Sequence, residues 1–213
     1  MEIEIVKRHI RDREYMSGVE RDKARVKATG EIFTKEWLAR ESLNKIKQFD
    51  PTAFSDPFKT FCDPACGDGN LISEVLIQKI ESLWQHREWI IQSEQSVGNS
   101  ISAEQKEKWF AEDFEQALQT IYCVDLMPDN VKLCQDRLLC GQEHLRHIVE
   151  KNIVCADALR YHYRFDGTHP YDDEVKAKQN EEHFKSLGLD QCEIVSTPKL
   201  KKVKLKPIDN FFE

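Results

Sequence analysis

The stretch TFCDPACGDGNLI, residues 60–72, sets an acidic residue at the end of a short apolar run, then two glycines, then the start of a helical pattern. A β-strand ending at Asp63, a tight turn through Gly67 and Gly69 and a helix opening near Asn70 would form a cradle of backbone N–H groups beside a carboxylate. Charged, nucleotide-like ligands bind in such places. Two further apolar runs end the same way, IYCVD on Asp125 and NIVCAD on Asp157. A nicotinamide dinucleotide fits poorly, because CGDGNL lacks the third glycine of G-x-G-x-x-G and Asp125 stands far beyond the usual ~20-residue spacing. Cys134, Cys140, His144 and His147 raise zinc, but they include no C-x-x-C pair and Cys134 falls on the apolar stripe of a helix. The position of Cys66 is explained by the glycine turn, which weakens a nucleophilic reading.

The elements that must position these residues alternate. KTFCD reads as a strand, and after the glycines Ile72, Val75, Leu76, Ile80, Leu83 and Trp84 follow helical steps until the polar SEQSVGNS. Ser102 with Gln105 marks a second helix start, with Phe110, Phe114 and Leu118 on one face. IYCVD and NIVCAD are continuous apolar runs, as buried parallel strands are. Between them Pro128 opens a helix through Val131, Cys134 and Leu138. Right-handed crossovers bring the three acidic strand ends to one edge of a parallel sheet, where ligands of open α/β sheets bind. Upstream, KEWLARESLNKIKQF has Leu38, Ser42, Ile46 and Phe49 near helical spacing, with Thr34 as N-cap. The charged first 28 residues read as a peripheral helix or arm.

A chain of 213 residues with 40% hydrophobic content supports one sizeable core. No long apolar run and no apolar N-terminal segment appear, so a cytoplasmic protein without a membrane span is expected. Seven cysteines, several of them in strand-like runs, point to reduced thiols packed as small hydrophobes. The net charge of −7 argues against coating nucleic acid by bulk charge, although lysines cluster locally in KLKKVKLK.

TGEIFT, DPACGDGN, VDLMPDN and ADAL, in that order over residues 29–159, resemble motif X, motif I and the second and third motifs of S-adenosylmethionine-dependent DNA adenine N6-methyltransferases of the amino-terminal-motif-X class. Four motifs in order are more specific than any single glycine pattern. The resemblance implies a Rossmann-like class I methyltransferase fold, α/β with three layers and a mostly parallel sheet shortened in its C-terminal half. It implies S-adenosylmethionine as cofactor: Asp63 faces the ammonium, and Ala65, Cys66, Gly67, Gly69 and Asn70 approach the methionyl part. Asp125 holds the ribose hydroxyls, Leu126 and Met127 wall the adenine, and Asp157 accepts from its amine with Ala158 and Leu159 beside it. Thr29, Gly30 and Phe33 close over the methionine end, with Lys35 where the family usually has proline. The divisions implied are an arm at 1–28, a cofactor-binding domain at 29–165 and a C-terminal extension at 166–213.

The family's fourth motif, Asn or Asp, then Pro-Pro, then Tyr or Phe, holds a flipped base, and this sequence has no such tetrapeptide. LRYHYRFDG is too polar for a central strand, so the nearest substitute is His169, Pro170 and Tyr171. CEIVS and KKVKLK resemble a hairpin able to cap the sheet edge. Two functions stay open: a DNA adenine methyltransferase whose site is completed here or by a second chain, or a cofactor-binding relative without catalysis acting as a regulatory module in DNA transactions. The ending LKPIDNFFE is similar to peptides that dock into DNA sliding clamps and to tails of clamp-binding proteins in T4-like bacteriophages. Ile208, Phe211 and Phe212 match the pattern and Leu205 replaces its glutamine, so DNA and a clamp are the implied partners.

Overall fold

The computed structural model of the chain describes residues 3–11 and 34–167. Within them lie α1 (Ile3–Arg11), α2 (Glu36–Phe49), β1 (Phe61–Asp63), α3 (Asn70–Ser96), α4 (Ala103–Gln119), β2 (Ile121–Asp125), α5 (Pro128–Leu139), a 3-10 turn (Glu143–Leu145), α6 (Arg146–Asn152) and β3 (Ile153–Cys155). The strands form one parallel sheet in the order β1-β2-β3, with Phe61 opposite Ile121 and Cys123 opposite Ile153. The described residues thus make an α/β fold in which each crossover is helical, as parallel pairing requires. No helix among them is long and apolar enough to cross a membrane.

Strand alternation divides the buried residues between two faces. Ile121, Cys123 and Ile153 enter the main core with residues from all six helices, whereas Val124 and Val154 pack with Ala156 and Tyr161 on the other face. The long α3 is the centre of the main core. It holds no Gly or Pro over its 27 residues, and Ile72, Val75, Leu76, Ile77 and Ile80 are all buried. It continues through the first residues of SEQSVGNS, where a polar loop was expected, because those residues are tolerated in a solvated last turn; Gly98, at φ 83°, follows its end. The Ser102 cap is present, its side chain accepting from Gln105 N–H at 3.1 Å.

Two expectations at the N-terminal side need correction. The first helix is not peripheral: Val6 and Ile10 are fully buried, and Arg11 makes a bidentate pair with Glu74 of α3 at 2.9 and 2.8 Å. The α2 helix is capped by Lys35 without a side-chain bond, not by Thr34, and it buries Ala39 and Leu43. Leu38, Ile46 and Phe49 stay exposed, Phe49 to 90%. Several spacings near 3.6 fit this sequence, and the small Ala39 lets α2 approach α3, so packing selects the stripe.

Candidate functional site

The glycine turn lies between the end of β1 and the start of α3, and its geometry follows from two left-handed residues, Gly67 at φ 55° and Gly69 at φ 88°. At Gly69 glycine is required twice over, since an added Cβ would also stand 2.7 Å from Cys134 Sγ on α5. That closeness belongs to the packing of the turn against α5. The turn's N–H groups do not form the open cradle expected from the sequence. Cys66 N–H donates to Val124 O at 3.1 Å, Gly67 N–H to Asp125 Oδ2 at 2.8 Å, Gly69 N–H to Cys66 O at 2.9 Å and Ala65 N–H to Asp63 Oδ1 at 3.1 Å. The turn is therefore laced to the end of β2. The α3 N-terminus behind it has Gly69 as N-cap, which offers no side-chain acceptor.

Parallel pairing places Asp63 and Asp125 at neighbouring strand ends, with Asp157 two residues beyond β3. Their situations differ. Asp63 is half-buried, accepts only from Ala65 N–H and faces no cation among the described residues. Burial pushes its carboxyl above the ordinary carboxylate value, with Cys134 and Asp125 adding to the rise against the Ala65 hydrogen bond. Asp125 is well supplied: besides Gly67 it accepts from Met127 N–H at 2.9 Å and from Asn130 Nδ2 at 3.2 Å. Asp157 turns back on its own segment, accepting from Leu159 N–H at 2.9 Å and facing Arg160 Nε at 3.4 Å. Leu126 is half-buried and Met127 buried, whereas Ala158 is half-buried and Leu159 is 96% exposed.

Sequence reasoning missed the residues that hold the turn. Arg137, fully buried on α5, donates to Asn70 Oδ1 at 2.6 Å, Asp68 O at 3.3 Å and Ile10 O at 3.4 Å, so one guanidinium joins the turn, α3 and α1. An arginine beside Leu138 on a helix's inner side was the available signal. Three thiols also converge under the turn: Cys66, Cys123 and Cys134 have their sulfurs within 4.8 Å of one another, all buried. Burial pushes the Cys123 thiol up, while hydrogen bonds from Cys123 and Cys66 lower that of Cys134. Cys140, one of the four residues weighed for zinc, is buried at the end of α5 and is not in this group.

Past β3, Tyr161, Tyr163 and Phe165 form no strand, and their rings cluster with Tyr122 on the sheet's second face. Thr29, Gly30 and Phe33, the turn His169, Pro170 and Tyr171, and the ending with Ile208, Phe211 and Phe212 lie outside the described residues. No protein-family model, no curated protein and no solved structure matches the chain.

Proposed function

We propose that the chain binds S-adenosylmethionine at the turn between β1 and α3, in a Rossmann-like class I methyltransferase arrangement, and acts as a DNA adenine N6-methyltransferase. One observation supports this above the rest: an Asp63 carboxylate, half-buried and facing no cation among the described residues, stands beside the glycine turn at the carboxyl edge of a parallel sheet. Such a group gains most from an ammonium. Bound S-adenosylmethionine supplies an electrophilic methyl group on sulfonium sulfur.

The chain's residues divide the binding. Asp63 accepts the ammonium, and the uncapped α3 N-terminus favours the carboxylate beside it. Asp125 already accepts from Gly67, Met127 and Asn130. The ribose hydroxyls reach it by displacing Asn130 or the Gly67 N–H. Met127 and Leu126 supply the apolar wall, and Asp157 exchanges Arg160 for the base amine. DNA and a sliding clamp reached through the C-terminal Ile208, Phe211 and Phe212 are the partners of this reading.

A second reading, cofactor binding without catalysis, is favoured by the missing fourth-motif tetrapeptide. Incubation of the full chain with methyl-labelled S-adenosylmethionine and mixed duplex and single-stranded DNA separates the two. Label on adenine N6 is the expected result. Retained cofactor with no label on any nucleic acid moves the protein to the second reading, and no retained cofactor contradicts both.

A further inference from the structure

Cys66, Cys123 and Cys134 come from the glycine turn, β2 and α5, three elements far apart in sequence. Each could pack alone as a small hydrophobe, but here their sulfurs share one point. Three sulfurs each ~2.3 Å from one ion lie about 4 Å apart, inside the 4.8 Å that bounds this group. Adjustment by rotamers suffices.

We propose that these three thiols bind one thiophilic divalent ion of the zinc group, as thiolates, beneath the glycine turn. Soft sulfur ligands select such ions over magnesium or calcium. Each ion that enters displaces three thiol protons to solvent and forms three metal–sulfur bonds, with no change in oxidation state. Arg137, fully buried one turn beyond Cys134, acts on that sulfur and offsets part of the negative charge. The approach is past the turn, because Cys66 is 6% exposed and the other two are sealed. An ion bound by the three thiols fixes Cys66 to β2 and α5, so the turn loses its freedom to reshape.

The test uses the full chain, reduced and freed of metal by chelation, titrated anaerobically with cadmium and separately with zinc. The expected result is a thiolate-to-metal charge-transfer band with cadmium that saturates at one ion per chain, about three protons released per ion, and a raised Tm. Cys134→Ala should weaken binding at least 100-fold, while the double variant Cys62→Ser with Cys155→Ser should bind as wild type. Should Cys134→Ala fail to fold, Cys66→Ala, at the one partly exposed thiol of the three, replaces it with the same expected loss. Absence of a saturable band, retention of full affinity in folded Cys134→Ala or Cys66→Ala, or loss of binding in the folded Cys62→Ser with Cys155→Ser variant would overturn the assignment.

Discussion

Asp63 and Asp125 end adjacent strands but differ in what surrounds them, and that difference makes separate predictions. The Asp63 carboxyl is raised by burial, so the folded state binds its proton more tightly than the unfolded chain does. Stability from this group is therefore lost as pH climbs from the ordinary carboxylate value through the raised one. Asp63→Asn should raise Tm at neutral pH, an advantage that disappears in acid, while cutting S-adenosylmethionine affinity by about 10- to 150-fold for one charge-assisted bond of ~1.5–3 kcal/mol. Thermal melts from pH 3 to 8 with binding isotherms check both. Asp125→Ala has the opposite character, because it strips the acceptor from Gly67, Met127 and Asn130. It should cost about 1–3 kcal/mol of stability even without ligand. Lys79 offers a test away from the site. It is fully buried, donates to Lys59 O at 2.8 Å and Asp56 O at 3.3 Å, and is pushed down to about 8 by burial. The folded state disfavours its charge, so stability should rise between about pH 8 and the ordinary lysine value of ~10.4. Lys79→Met should flatten that rise in denaturant titrations.

At the scale of elements, the turn and α5 are fitted to one another at Gly69 and Cys134. Gly69→Ala must place a side chain at φ 88° and against Cys134 Sγ at 2.7 Å. Left-handed strain alone is about 1–2 kcal/mol, and overpacking adds about 1–3 kcal/mol. A double-mutant cycle with Cys134→Ala should recover part of the second cost and none of the first, as read from denaturant midpoints. On α2 the buried Leu43 and the exposed Leu38 invert the sequence expectation. Leu43→Ala should cost about 2–5 kcal/mol and Leu38→Ala within about 0.5 kcal/mol. The strands, α3, α4 and α5 were legible because apolar runs closing on Asp, the Ser102 cap and Pro128 are local signals. The stripe of α2 was not, since only its partner decides between overlapping spacings. Nor was the inward aim of the turn's N–H groups, which depends on an Asp125 carboxylate 58 positions from Gly67. The thiol cluster was hidden for the same reason, its members being neighbours only after folding.

For the whole molecule, a chain of net charge −7 has little bulk attraction for DNA, so the proposed activity leans on local lysines and on tethering. The sheet of the described residues supplies a carboxyl edge with three acidic groups and a turn bonded to Asp125 through Gly67 N–H, and the proposed ribose contact displaces that N–H or Asn130. Either exchange calls for a ligand that replaces the broken internal hydrogen bond with its own. The most direct measurement is titration calorimetry of the full chain with S-adenosylmethionine, run in parallel on Asp63→Asn. The account predicts one ligand per chain for wild type and a loss of at least 10-fold in affinity for the variant, with both proteins folded by circular dichroism. Binding of equal strength in the two, or no binding by folded wild type at saturating ligand, would contradict it.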